Sequence, residues 1–299
     1  MALVIVIYLI RKALMQPLES GVYSQTFKVL EVKENHIILK GTTKIVVYNQ
    51  GFDLIPGDQI DATIKVKGLL KASYTGDFNE ETYYLSKGVT NKGSILYFEK
   101  LNHQFKIEEL RYSILNFYRT TLGTKSYQYI SSIIFGVVEL DKDIKEAYQT
   151  LYSSHILAIS GLHIIFIYQI IKKLLQKVFK IEGEILSLLV VGIYLVLIGF
   201  PVAALRAFLF LILRVLNKGK IKYTELDILS LSFILMILMN PFWAFQNGFI
   251  LSFLISFLLL FMNEFNVYHG VLKKFYTSLL CILATLPFVI NQNYEISIT

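Results

Sequence analysis

A single cysteine, Cys281, leaves no partner for an intrachain disulfide, and its place inside an apolar run says nothing of redox compartment. Charge is scarce as well. Charged side chains make up 17% of the 299 residues, where soluble domains carry about a quarter. Hydrophobic residues reach 55% and the mean hydropathy is +0.55. Those values exclude a chain built only of soluble domains. The N-terminus lacks the charged start and the small-residue cleavage site of a secretory signal. Its apolar run before Arg11 and Lys12 is about ten residues, too short to span ~30 Å of hydrocarbon. Residues 1–18 are therefore expected to be part of a membrane segment. The closing NQNYEISIT follows an apolar run with no closing domain, so the chain reads as a fragment.

What is present falls into two blocks. Residues 19–100 look soluble, and the long apolar runs lie after Leu151. The first block holds ten basic and ten acidic side chains, so the net charge of +7 comes from the linker and the loops that follow. A basic excess there follows from membrane topology and does not by itself point to nucleic acid. VYSQTFKVLEV, IILK, TKIVVYN, QIDATIKVKG and SILYFEK alternate with the two-residue period of strands, and Pro56-Gly57-Asp58 makes a turn. Five short strands in eighty residues predict a small OB-like barrel rather than an immunoglobulin-like sandwich, interrupted by a short helix or loop at TGDFNEETYYLSKGV.

From Ile107 the period becomes helical. Ile107, Leu110, Ile114, Tyr118 and Leu122 share one face, which predicts an amphipathic helix along the membrane surface within a linker over 101–154. Six spans are expected near 155–175, 183–200, 201–217, 224–244, 246–263 and 273–291, several with barely enough apolar residues. Ten of the eleven Lys and Arg residues after position 154 fall in or beside three loops, at 172–180, 214–222 and 273–274. Alternating spans put those loops on one side, the cytoplasmic one by the positive-inside rule. The connections around 199–201 and 240–247 carry no charge, and they share the outer side with the barrel. The fold class is thus α+β: a β-barrel followed by an all-α, multi-pass membrane region at 155–299.

Arg206 is the one basic residue that breaks this pattern. It lies inside the third expected span, where a cation costs several kcal/mol unless it snorkels or faces a polar path. The second signal is SSHILAISGLHII, which sets His155, Ser160 and His163 in an otherwise apolar helix beside the small Gly161. The two histidines are about 80° apart, so one broad face can present both. Helix packing explains these residues as well as a functional site does. Two histidines without an acid do not complete a metal set, and a Ser160–His163 pair lacks a third group to orient the base.

HILAISGLH resembles the HLLAISGLH-type signature of the ComEC family of DNA-import channels. The P-x-x-x-L-R-A around Arg206 resembles that family's proline–arginine helix start. NPFWAFQNGFILSFLISF resembles its "DP…D.GFQLSF" segment, with Asn240 and Asn247 in place of the usual acids. CILATLPFVI resembles its "TLPL" helix, and GDFNEETYYLSKGV the close of its OB-like domain. The resemblance covers residues 20–299 in order. It implies uptake of single-stranded DNA across the cytoplasmic membrane in natural transformation, with the barrel on the extracytoplasmic side. DNA-path residues are then expected among His155, Ser160, Gly161, His163, Arg206, Gln246 and Asn247, at similar outer depths with His163 deeper. Expected partners are single-stranded DNA, the lipid bilayer and other DNA-uptake proteins, and a homo-oligomer is compatible with them. No catalytic residue, metal or cofactor is expected, and no H-x-H-x-D-H nuclease run occurs. The missing acids at 240 and 247 put full activity in question. A small-solute transporter, an inactive channel remnant and an intramembrane Ser–His hydrolase stand as alternatives. Tight DNA binding by the barrel is not expected, because its charge is balanced.

Overall fold

The computed structural model describes residues 6–9, 12, 15–33, 35–48, 50–71, 79–105, 107–137, 140–141, 144, 159–179, 182–218, 223–264 and 270–293. Five strands form the first unit: β1 (Gly21–Val32), β2 (His36–Lys40), β3 (Lys44–Tyr48), β4 (Asp58–Gly68) and β5 (Asn91–His103). They close into a barrel in the order β1-β2-β3-β5-β4, with β3 and β5 parallel and the other pairs antiparallel. Closure removes the exposed edges that short strands otherwise present.

The alternation seen in the sequence sets the inside. Ile60, Ala62, Ile64 and Val66 of β4 point inward and meet Phe27, Val29, Ile37, Leu39, Ile45 and Val47. The 56–58 turn holds as expected: Gly57 has φ +103°, and a Cβ there would lie 2.3 Å from the Gln104 carbonyl oxygen. The interrupting stretch becomes helix α1 (Glu80–Ser86), capped by Asn79, whose side chain accepts from the Thr82 N–H at 3.0 Å.

Helices α2 (Ile107–Thr121) and α3 (Thr124–Phe135) follow, and α2 buries no side chain fully. Where the six spans are expected, the structure has helices α4 (Gly161–Phe179), α5 (Glu182–Ile198), α6 (Val202–Leu216), α7 (Glu225–Met239), α8 (Asn247–Glu264) and α9 (Gly270–Asn293). Their lengths differ from expectation. Both α6 and α7 have only 15 residues, about 22 Å at 1.5 Å per residue. Gly199 (φ +78°) and Phe200 (φ +54°) end α5, and Pro201 starts α6. Asn240 ends α7, and its side chain caps a short 3-10 turn, Pro241–Phe245, by accepting from the Phe242 N–H at 3.1 Å. Lys172, Lys173 and Lys177 interrupt the apolar length of α4. Among the described residues, no helix is long and apolar enough to cross a membrane.

Helix α6 is the hub of the bundle. Ala204, Ala207 and Leu211 pack with Ile164, Tyr168, Val191 and Leu195 of α4 and α5. Leu205 packs on the other side with Leu229 and Met236 of α7 and with Phe249 and Phe253 of α8. Large apolar side chains remain exposed outside, among them Leu162, Phe166, Leu189, Ile193 and Ile282. The barrel docks on the 3-10 turn. Asn240 Nδ2 donates to the Ser86 carbonyl and Gln246 Nε2 to Ser86 Oγ, both at 2.6 Å. Tyr8 adds ring contacts to Phe242 and Phe245.

Candidate polar site around Arg206

The start of α4 is shaped by a local reciprocal contact. His163 Nδ1 accepts the Ser160 backbone N–H at 3.0 Å and lies 3.0 Å from Ser160 Oγ. A backbone N–H can only donate, so Nδ1 is unprotonated and the Ser160 hydroxyl is its second donor. The ring is then the neutral tautomer with its proton on Nε2, and that N–H remains a donor. His163 stands three residues into the turn, where a side chain reaching back satisfies an otherwise orphaned donor. Among the described residues no carboxylate bonds to this ring, and none of their His, Cys, Asp and Glu side chains form a group that could hold a metal. The serine–histidine contact exists without the third group that a hydrolase uses.

Next to Ser160, Gly161 makes room for Arg206. A Cβ on Gly161 would lie 2.7 Å from Arg206 Nη2 and 3.2 Å from both the Ala203 carbonyl oxygen and the Ala207 Cβ. Arg206 is 9% exposed, so it neither snorkels to a surface nor lines an open vestibule. Its Nε donates to Ser252 Oγ of α8 at 2.7 Å, and the guanidinium stands 5.8 Å from the Phe253 ring centroid. Among the described residues no carboxylate pairs with it. Three segments therefore meet at one cation: the Ser160–Gly161 start of α4, the α6 start and the FILSF stretch of α8.

Other expected residues lie elsewhere. His155 is outside the described residues. Gln246 serves the barrel contact with Ser86, and Asn247 begins α8, half-buried. Sequence reasoning missed Ser252, whose only local mark is a small polar residue within the apolar FILSF stretch. It also missed Arg111. Arg111 Nη2 donates to the Phe135 carbonyl at 2.9 Å, and a Cβ on Gly199 would lie 2.7 Å from its Nη1. Its buried Nε has no partner among the described residues, and burial holds its pKa below the ordinary arginine value. A second cation thus stands against the Gly199 turn.

The lysine-bearing end is also not simply loop charge. Glu184, buried at the start of α5, pairs with both Lys172 of α4 and Lys218 beyond α6. Arg214 pairs with Glu225 at 2.9 Å. Meanwhile the two charge-free connections, at 199–201 and 240–247, are the ones touched by Arg111 and by α1.

Comparison with known proteins gives the same direction. Residues 133–299 match the Competence protein family. The chain is 28% identical over 208 residues to ComE operon protein 3 of Bacillus subtilis, a match covering 67% of this chain and 26% of that protein. It is 27% identical over 219 residues to an uncharacterised protein of Mycoplasma pneumoniae, covering 70% of this chain and 57% of that one. A Mycoplasma genitalium protein, also uncharacterised, is 28% identical over 198 residues, covering 66% and 52%. The chain thus spans from 26% to 57% of the length of these relatives. No solved structure matches it. The family match covers more than half of the chain, so the protein belongs to the ComEC family of competence proteins.

Proposed function

We propose that this chain forms part of a multi-pass channel in the cytoplasmic membrane that passes single-stranded DNA, with the barrel on the extracytoplasmic side. One observation carries the proposal: three family-like segments converge on Arg206, a buried cation whose described hydrogen-bond partner is the neutral Ser252 hydroxyl. A phosphate makes stronger, charge-assisted bonds to a guanidinium than a hydroxyl does. Exchange of Ser252 for a phosphate would loosen the α6–α8 contact as a strand enters, while the His163 Nε2–H adds a neutral donor and Ser160 holds that ring in place. Nothing in that set holds a phosphate irreversibly. The exposed apolar rim supports a lipid surround, since large side chains such as Leu162 (74% exposed) and Phe166 (62%) face outward. Helices of 15–18 residues fit a bilayer that thins around them or that flanking residues complete. Other uptake proteins would supply the driving force and the second-strand chemistry.

The test is uptake of labelled DNA by cells making matched amounts of each variant in an otherwise intact, competent homologue. Arg206→Ala should lower uptake about ten-fold or more while the protein still inserts, the scale of one lost charge-assisted bond. Arg206→Lys keeps part of the activity if charge alone matters and little if the fork geometry is needed. Wild-type uptake by Arg206→Ala would overturn the proposal. A second reading, an intramembrane hydrolase, has the 3.0 Å Ser160–His163 contact in its favour. Labelling of Ser160 by a fluorophosphonate probe would support it.

A further inference from the structure

A second polar site lies on the barrel, away from Arg206. Lys40 and Lys44 are cross-strand partners at the mouth of the β2–β3 hairpin. Ile37, Leu39, Ile45 and Val47 fill the barrel interior, so the alternation puts both lysines on the outer face. There they border an open cleft of 510 Å³ with Thr42, Thr43, Thr90 and Gly88, closed on one side by Met15, Pro17 and Leu18.

Like charges placed directly opposite each other destabilise a strand pair. Here the described offset is partial, the field of Glu31 acting on Lys44. Neither lysine has an ion pair among the described residues, and Lys44 Nζ bonds only to the Lys87 carbonyl, at 3.3 Å. Glu31, whose field reaches Lys44, is itself paired with Lys33 at 2.8 Å. Burial, then the field of Lys40, holds the Lys44 pKa below its ordinary value, as befits a cation lacking its counter-ion. The Thr43 hydroxyl is shielded from solvent and has no hydrogen-bond partner among the described residues, so it adds no counter-charge to the cleft.

We infer that this cleft binds the phosphate of a single nucleotide, either free or at the end of a strand. Two lysines and the exposed Thr42 match one phosphate monoester, whereas a strand needs a track of cations that the balanced barrel lacks. The volume lies within the range of small-ligand sites, and the Met15, Pro17 and Leu18 wall offers apolar surface to a base. The choice of a nucleotide rests on the DNA-channel proposal; the need for an anion does not.

Titration calorimetry on the full chain in neutral detergent, with thymidine 5′-monophosphate as the probe, tests the inference. Thymidine should bind at least about ten-fold more weakly, the scale of a lost charge-assisted contact. Lys40→Gln with Lys44→Gln should cost a similar factor in protein whose strand signal by circular dichroism is unchanged. Equal binding of thymidine and its monophosphate, or an unaffected double variant, would overturn the inference. So would inorganic phosphate binding as tightly as the nucleotide. Phosphatidylglycerol nanodiscs that block the cleft while the nucleotide fails to bind would make it a lipid headgroup site and overturn it too. Arg206→Ala should keep nucleotide binding while losing uptake. Failure at the cleft therefore leaves the channel proposal standing, and failure of the channel proposal leaves the cleft measurable.

Discussion

Gly161 and Arg206 behave as one unit, and a single methyl group tests it. Gly161→Ala places a Cβ against Arg206 Nη2, which can swing away, and against the Ala203 carbonyl, which cannot. The expected cost is about 1–3 kcal/mol of stability, as for overpacking in a tight core. Thermal unfolding in detergent measures it, and the cost should shrink when Arg206→Ala is already present, because part of the clash is then gone. An additive pair of changes would show that the glycine and the arginine are independent. Two histidines give the barrel a pH signature. His103 bonds Asp58 at 2.9 Å and Glu109 at 3.0 Å, which joins β5 to α2, and Lys100 stands 3.7 Å from the same Asp58. The hydrogen bond to Asp58 chiefly raises its pKa. A raised folded value means that its contribution is complete below the unfolded pKa near 6.5 and is lost as pH rises through the folded pKa. His36 runs the other way: burial, then Lys33 and Lys87, lowers it to about 4. It stays neutral in the folded barrel, so the barrel loses stability as pH falls from about 6.5 toward the folded value. NMR titration of the histidine rings, with His103→Gln and His36→Gln removing one limb each, checks both directions.

Between elements, the contact of α1 with the 3-10 turn joins the barrel to the bundle. Two side-chain donors, from Asn240 and Gln246, converge on Ser86. Removing both should cost about 1–3 kcal/mol, since Ser86 keeps polar atoms that were bonded. Hydrogen exchange at residues 241–246 and 80–86 should accelerate in Asn240→Ala with Gln246→Ala, while β4 and β5 stay protected. Unchanged exchange would mean that the Tyr8–Phe242–Phe245 ring contacts hold the seam without them. The same pair of residues shows why acids need not stand at 240 here. An asparagine supplies both the cap for the Phe242 N–H and a donor to Ser86, whereas a carboxylate could only accept.

For the whole molecule, sidedness is the property to measure. The barrel touches the 240–247 connection, and the Lys172–Glu184–Lys218 cluster marks the lysine-bearing side. With Cys281 replaced, a cysteine at Gly248, where added atoms meet open space, should react with an impermeant maleimide in intact cells. One at Lys177 should react only after lysis. The reverse result would turn the bundle over and place the barrel inside.

The sequence by itself determined the barrel, the order of the helices and the segments worth watching. Inward and outward faces are encoded every second residue in a strand, and the span boundary expected at Pro201 lies where the helix break falls. Family-like motifs are likewise contiguous. What only the tertiary structure decided is partnership. Arg206 meets Ser252, 46 positions on, and Gln246 meets Ser86, 160 positions back. Arg111 reaches the Gly199 turn, and Lys172 and Lys218 share Glu184 rather than standing as free loop charge. Periodicity states which face a residue occupies, but the neighbour on that face is set by how the helices pack, and packing depends on side-chain shape across the whole bundle. Helix length was decided in the same way. The helix expected to run to 244 stops at Met239, and the 3-10 turn that follows is held by the contacts of Asn240 and Gln246 with α1.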